Sequence, residues 1–162
     1  MRLVSLSETT SKEVSMDKIE RLKLELAYVQ EMRKMWAWLA QEENHLKQDY
    51  MHEFHDGVTI FSGCFACEYV ANTYPMEKEV CPYSGGVSKY INCDHCPLLG
   101  YAWSPQEEDE EDEAPPCQQS GSPYLDWFLD VTERLDAARE IVKACDSRVK
   151  DIQSFLKREG AV

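Results

Sequence analysis

The sequence predicts a mainly α-helical protein: a long antiparallel, coiled-coil-like helical hairpin with a small cysteine-containing module inserted between its two arms. Two observations favour this fold class. Apolar residues recur at steps of three and four toward both ends of the chain, and two closely spaced cysteine pairs lie between these ends. A length of 162 residues favours one compact domain overall.

The C-terminal arm has the more regular apolar spacing. We expect one helix over residues 122–158, because Ser122 can cap a helix that starts at Pro123, and Gly160 can end it. Cys145 is interpreted as a small buried hydrophobe on this helix. The apolar residues at steps of three and four form one uninterrupted seam along this helix. The seam consists of Phe128, Val131, Leu135, Ala138, Val142, Cys145, Val149, Ile152 and Leu156.

A matching helix is predicted over residues 16–56, after a flexible segment at residues 1–15. Arg33 interrupts its apolar seam, and Met32 can cover that gap. Both helices would be about 50 Å long at a rise of 1.5 Å per residue. Equal lengths favour antiparallel pairing within one chain, and pairing between two chains in a homodimer stays open. The seam consists of Ile19, Leu22, Leu26, Val29, Trp36 and Ala40.

The N-terminal helix also carries a second apolar stripe, formed by Leu24, Tyr28, Met35 and Trp38. One partner helix cannot cover both stripes, so a second surface has to pack there. The middle segment, a second copy of the chain or a foreign protein could each provide it. The candidate partner-contact residues on this helix are Tyr28, Met35, Trp36 and Trp38.

Negative charge is concentrated in the middle of the chain. The formal net charge is -13, and residues 50–113 contain thirteen acids against only Lys78 and Lys89. Such a chain repels phosphate backbones, so nucleic-acid binding is not expected. Residues 107–121 are predicted to form an acidic disordered loop that either contacts a partner, as a mimic of DNA, or is merely solvated. Its acidic run is Glu107, Glu108, Asp109, Glu110, Glu111, Asp112 and Glu113.

Two C-x2-C pairs predict a metal-binding module over residues 57–106. Cys64 and Cys67 precede Cys93 and Cys96, with 25 residues between the pairs. Four thiolates form the closed tetrahedral set that structural zinc prefers, so we expect one structural Zn²⁺ and no Lewis-acid catalysis. The other cysteines that could replace a nominal ligand are Cys81 and Cys117.

Motifs for catalysis and membrane insertion are missing from the sequence. His52 and His55 are three residues apart, whereas the zinc-protease helix spaces its histidines by four, so they are interpreted as polar residues that close a helix before Gly57. His95 is expected to be a loop-tip side chain. Since there is no nucleophile elbow or phosphate-binding glycine loop, we expect no enzyme activity. The absence of an apolar span and of an export signal favours a reducing cytoplasm.

The cysteine pairs and their neighbours carry a family resemblance. The segments concerned are CFACEY at residues 64–69 and CDHCPL at residues 93–98. Trp36 and Trp38 precede them, and Cys117, Tyr124 and Trp127 follow. Together these residues resemble small proteins of unknown function encoded by bacteriophages and prophages. The resemblance covers about residues 30–145. It implies zinc binding through Cys64, Cys67, Cys93 and Cys96, and a phage genome expressed in the cytoplasm of an infected bacterium. The acidic run is not associated with this family, which provides no activity to transfer.

Three functional hypotheses follow. The first is a phage protein-interaction module that binds and inhibits or redirects a host protein, plausibly a component of a defence system. The second is a zinc-ribbon adaptor for nucleic acid or transcription, which the scarcity of basic residues near the cysteines disfavours. The third is a protein that sequesters a host signalling nucleotide, for which aromatic side chains such as Trp36, Trp38, Tyr124 and Trp127 would supply stacking faces.

Overall fold

The structure is a computed structural model that describes residues 6–59, 64–74, 93–104, 115–119 and 121–161, with side chains from Lys18 onward. Regular secondary structure in these ranges is helical, which confirms the predicted mainly α class. Short 3-10 helices lie at Cys93–His95 and Pro116–Gln118. None of the described helices is long and apolar enough to cross a membrane. The α-helices are α1 at Leu6–Leu39, α2 at Lys47–Phe54, α3 at Phe65–Thr73, α4 at Pro123–Leu129 and α5 at Arg134–Arg158.

The two longest helices, α1 and α5, pack along each other. Three contacts give their relative direction. Lys18 Nζ lies 4.8 Å from the centre of the Phe155 ring. Further along α1, Glu25 pairs with Arg148, and then the Arg33 guanidinium pairs with Asp146. Since positions that rise along α1 meet positions that fall along α5, the two chain directions are opposite. Arg33, the polar interruption of the predicted seam, is thereby paired across the interface.

The predicted C-terminal helix is divided into α4 and α5. Its start and stop are as expected, with the Ser122 hydroxyl accepting from Leu125 N and Gly160 lying just beyond the last turn. The break comes at Asp130, whose carboxylate accepts from Thr132 N at 3.0 Å and from Thr132 Oγ1 at 2.6 Å. This local side-chain turn competes with the helix. Consequently, two predicted seam residues, Phe128 and Val131, are 62% and 54% exposed.

The predicted N-terminal helix is also divided, and it begins earlier than expected. α1 starts at Leu6, so part of the segment predicted to be flexible is helical. It ends at Leu39, where His45 folds back, stacks on the Trp38 ring at 3.7 Å and donates to the Trp38 carbonyl at 2.8 Å. The same carbonyl accepts from the Gln41 amide at 3.1 Å, so a tightened last turn and the imidazole together satisfy it where the helix ends. α2 then closes at Phe54, before Gly57 as expected.

The core forms around Trp36, which has no exposed surface. Its ring meets that of Trp127 edge to face, with 5.1 Å between ring centres. Side chains of the middle segment cover much of the second stripe, because Tyr69 of α3 packs on Tyr28 with 5.9 Å between ring centres. Other fully buried apolar side chains in this core are those of Val29, Met32, Met35, Leu39, Ala66, Leu98, Ala138, Ile141 and Cys145.

Candidate metal centre

Five cysteines that are far apart in the sequence line one small cavity. Its volume of about 30 Å³ matches an ion or a water molecule rather than an organic cofactor. No disulfide joins two of the cysteines in the described ranges. The lining consists of Cys64, Cys67, Cys93, Cys96 and Cys117, together with Val70, Trp103, Pro116, Gln118 and Tyr124.

The first cysteine pair is positioned by the start of α3. Cys64 is the residue before the helix, and Cys67 lies in its first turn. The Cys64 sulfur accepts hydrogen bonds from the backbone amides of Ala66 and Cys67. Amides aimed at a sulfur atom stabilise a thiolate, and so does the positive end of a helix. The local fold therefore stabilises the thiolate form of Cys64.

The second cysteine pair brackets a short 3-10 turn. Cys93 opens the turn, and the amide of Cys96 donates to the Cys93 carbonyl at 3.1 Å. The Cys96 sulfur then accepts from the amides of Leu98 and Leu99 and from the Trp103 side chain. This repeats the amide arrangement of the first pair, with an indole added. The two pairs thus reach the same cavity through similar local geometry.

Cys117 is the fifth thiol at the cavity, and the structure shows how it is held there. It belongs to the 3-10 turn at Pro116–Gln118. The Ser122 hydroxyl donates to the Cys117 carbonyl at 2.6 Å while it accepts from the first turn of α4. A single serine therefore fixes both the start of α4 and the position of this cysteine. That Cys117 replaces a nominal ligand stays a prediction.

The thiols do not ionise equally. The pKa of Cys64 is lowered to about 6, chiefly by the hydrogen bond from the Cys67 thiol, with a further contribution from the Lys47 ammonium. That same hydrogen bond, together with burial, raises the pKa of Cys67. Burial and the charge on Cys64 raise the pKa of Cys96 to about 12 and also raise that of Cys117. Without a cation, one thiolate thus suppresses ionisation of its neighbours.

This donor set fits zinc in its chemistry. A bound divalent ion would compensate several thiolates at once, which is the condition under which the suppressed thiols lose their protons. The described residues contain no three His, Cys, Asp or Glu side chains that already form a metal-holding group. The sulfurs therefore surround the cavity without a coordination geometry, and an ion would have to draw them inward.

Two of the predicted site features fall outside the described ranges. Cys81 lies between residues 75 and 92, and the acidic run Glu107–Glu113 lies between residues 105 and 114. His95 is described, and it is exposed and stacked on the Tyr74 ring with 3.9 Å between ring centres, as expected of a loop-tip side chain. Cys145 is buried on α5, as expected, and burial raises its pKa to about 12.

The structure places the candidate partner-contact residues in or near the core. Trp36 and Met35 have no exposed surface, so they are core residues and leave nothing for a partner to contact. Trp38 is half-buried beneath His45. Tyr28 is half-buried against Tyr69. The physical reason is that α2 and α3 fold back over the stripe, which was one of the alternatives left open by the sequence.

One feature of the surface was missed by the sequence analysis. A groove of about 620 Å³ is lined by residues of α2, by the segment that follows it and by α4. Lys47 lies in this groove with Arg134. The available signal was the isolation of Lys47, which is the only basic residue between Lys34 and Lys78 apart from histidines.

Comparison of the chain with known protein families, with curated proteins and with solved structures finds no match.

Proposed function

We propose that this protein is a non-catalytic, zinc-stabilised interaction module that binds a host protein and inhibits or redirects it. In this proposal, α1 and α5 form the arms of a helical hairpin, and one Zn²⁺ held by Cys64, Cys67, Cys93 and Cys96 pins the inserted module to them. The observation that carries the proposal is the convergence of both cysteine pairs on one ion-sized cavity.

Four thiolates around one zinc ion leave no coordination position for a substrate, so the metal's contribution is folding energy. The module needs such a contribution because it has little regular structure of its own among the described residues. α3 and a short 3-10 turn carry the two pairs, and beside the cysteines these segments meet where the Tyr74 ring stacks on His95. A cross-link between them would hold α3 against α1 and keep the covering side chains in place.

The partner surface that we propose lies at the turn between α4 and α5. Three large apolar side chains, Phe128, Leu129 and Val131, are exposed within four consecutive positions. Exposed apolar residues that cluster in this way are typical of protein contact sites. We propose this surface as the partner contact in place of Trp36 and Met35, which were predicted from the sequence and are buried. A phage origin, which the cysteine motifs suggest, would make the partner a bacterial host protein with an apolar recess.

The test is quantitative affinity capture from a bacterial lysate with three purified chains. The wild-type protein is compared with the double variant Leu129→Asp/Val131→Asp and with Leu24→Asp, which changes an exposed apolar residue on α1. We expect one host protein to be enriched by the wild type and by Leu24→Asp, and to be lost with the double variant. The captured protein, once purified, should lose activity when the wild type is added and keep it with the double variant.

Zinc content is measured on the same samples, because the proposed partner surface and the proposed structural role of zinc can fail separately. Cys93→Ser should lose zinc and, since the module is then loosened, the partner as well. Capture of the same host protein by all the variants would contradict the surface at Leu129 and Val131. A partner held equally well by a zinc-free Cys93→Ser chain would contradict the role given to the metal.

A further inference from the structure

The groove of about 620 Å³ has the size of a small-molecule site, since such sites measure roughly 300–1,000 Å³. It is a separate space from the cysteine cavity, although Tyr124 lines both. Its rim is apolar and open, because Leu46, Val58 and Phe128 line it and are all substantially exposed. An apolar rim of this kind receives the body of a ligand and excludes water from its contacts.

Two cations lie over the aromatic wall of the groove, which consists of the rings of Tyr124 and Trp127. Lys47 Nζ is 4.2 Å from the centre of the Tyr124 ring and 5.7 Å from that of Trp127, and Arg134 Cζ is 5.2 Å from the Trp127 ring. Lys47 donates to the Tyr124 hydroxyl at 3.1 Å. Arg134 donates to the carbonyls of Trp127 and Glu43. Within the described part of the chain, neither cation forms an ion pair with a carboxylate.

Half-buried cations without a carboxylate partner are informative in a chain whose formal net charge is -13. Arg33, Arg139 and Arg148 are paired with carboxylates, and lysines such as Lys143 and Lys150 are exposed to solvent. Lys47 and Arg134 are instead half-buried in the lining of the groove. Retaining Lys47 and Arg134 on one aromatic wall creates a local positive potential in an acidic protein. A ligand that carries negative charge would complement it.

The Trp127 indole nitrogen is buried and makes no hydrogen bond to the described residues, so a ligand in the groove meets the face of this ring and not its nitrogen. The groove thus offers a ligand two cations, an aromatic wall and an apolar rim.

We propose that this groove binds a small organic anion with a flat apolar body, with the anionic group between Lys47 and Arg134 and the body against the rim residues Leu46, Val58 and Phe128. Charge complementarity and volume select this occupant over a neutral one or a bare inorganic ion. The groove shares Phe128 with the proposed partner surface, but Leu129 and Val131 of that surface do not line the groove, so substitutions at these two residues and at Lys47 test the two proposals separately.

The probe for the first test is 8-anilinonaphthalene-1-sulfonate, an aromatic sulfonate whose fluorescence rises on binding. Its uncharged relative N-phenyl-1-naphthylamine measures the apolar contribution alone, and inorganic sulfate measures the charge alone. We expect one sulfonate per folded chain by calorimetry, bound at least tenfold more tightly than either comparison compound. Equal affinity for the uncharged relative, or no binding of the sulfonate, would overturn the proposal.

The variants Phe128→Lys and Phe128→Glu form a matched pair, because both remove the same exposed ring and differ in the charge placed on the rim. We expect Phe128→Glu to weaken sulfonate binding about tenfold relative to Phe128→Lys. Lys47→Met should also weaken it about tenfold, whereas Lys143→Met, an exposed position outside the groove, should leave it within twofold. Melting curves and zinc content are recorded for every variant, because Lys47 also influences Cys64. Equal binding by the two Phe128 variants would overturn the proposal.

Discussion

Arg148 Nε of α5 donates to Glu25 Oε1 of α1 at 2.7 Å, and Glu25 is only 5% exposed. The guanidinium also donates to the Tyr101 hydroxyl at 3.3 Å, and that hydroxyl donates to Asp151 at 2.6 Å. Tyr101 belongs to the loop that follows the second cysteine pair. The two long helices and the cysteine loop are therefore tied together at one point, away from the metal cavity.

Removing Arg148 tests this tie. Arg148→Met would leave the Glu25 carboxylate buried without its counter-charge, so we expect a loss of about 3–5 kcal/mol in the free energy of unfolding, measured by urea denaturation. Burial already raises the pKa of Glu25, and the positive charge of Arg148 opposes that rise. The control is Glu25→Leu/Arg148→Met, which should recover most of the loss. An equal loss in both variants would show that packing of the arginine stem, and not charge burial, explains the effect.

Tyr50 should make the wild-type protein sensitive to alkaline pH. Burial, and next the Glu31 carboxylate, raise its pKa from 10.0 to about 12. The unfolded chain therefore releases this proton at a lower pH than the folded chain does. The contribution to stability is complete below pH 10 and is lost as the pH rises toward 12, by about 2 kcal/mol.

Unfolding of the wild type and of Tyr50→Phe over this pH range isolates that contribution, because cysteines and lysines titrate in both proteins. We expect the wild type to lose stability relative to Tyr50→Phe as the pH rises, since only the wild type has a phenol to ionise at this position. Parallel curves would mean that the Tyr50 phenol is not held in its neutral form by the fold.

Ser122→Ala should affect both elements that this hydroxyl connects. Loss of a helix cap typically costs about 1 kcal/mol, and the Cys117 carbonyl would lose its donor as well. We expect a destabilisation of about 1–2 kcal/mol by thermal or urea unfolding. Ser122→Thr should retain most of the stability, and Ser147→Ala on the exposed side of α5 should be neutral. A neutral Ser122→Ala would show that the turn at Pro116–Gln118 holds its position without the serine.

The variant Cys117→Ser tests whether Cys117, the fifth cysteine at the cavity, is a zinc ligand. With Cys64, Cys67, Cys93 and Cys96 as the proposed set, Cys117→Ser should keep one zinc per chain and an affinity within about threefold of the wild type. The affinity is measured by competition with a chromogenic chelator. Cys145→Ser, which removes a fully buried thiol that does not line the cavity, controls for the loss of a buried thiol. Loss of zinc from Cys117→Ser alone would move this cysteine into the ligand set.

The sequence was most informative where one type of interaction dominates. Ile152 and Leu156 were predicted from spacing alone and are almost fully buried, because a regular seam on a long helix has one favourable way to pack. Ser122 and Gly160 were predicted as helix ends for a similarly local reason. The helical class of the fold follows from these features.

The breaks in the helices were not predictable from apolar spacing. Asp130 ends α4 through a turn with Thr132, and His45 ends α1 through contacts with Trp38 that depend on the loop folding back. Periodicity continues across both breaks in the sequence, so it gives no warning of them. Trp36 was wrongly predicted to contact a partner, because it lies on an apolar face that is wider than one helix can cover. It is instead at the centre of the core.

The candidate metal site was partly predictable. The two C-x2-C pairs indicated their own convergence, because each spacing suits a turn around one ion. The approach of Cys117 depends on how α4 and the turn before it pack, and the groove around Lys47 depends on the break between α1 and α2. Neither has a local signature in the sequence beyond the isolation of Lys47.

Native mass spectrometry of the protein purified without chelator tests the central claim most directly. We predict one zinc ion per folded chain, and a zinc-free chain when Cys64 and Cys93 are both replaced by serine. A wild-type protein that is folded and free of zinc, or a double variant that still carries one zinc ion, would contradict the account.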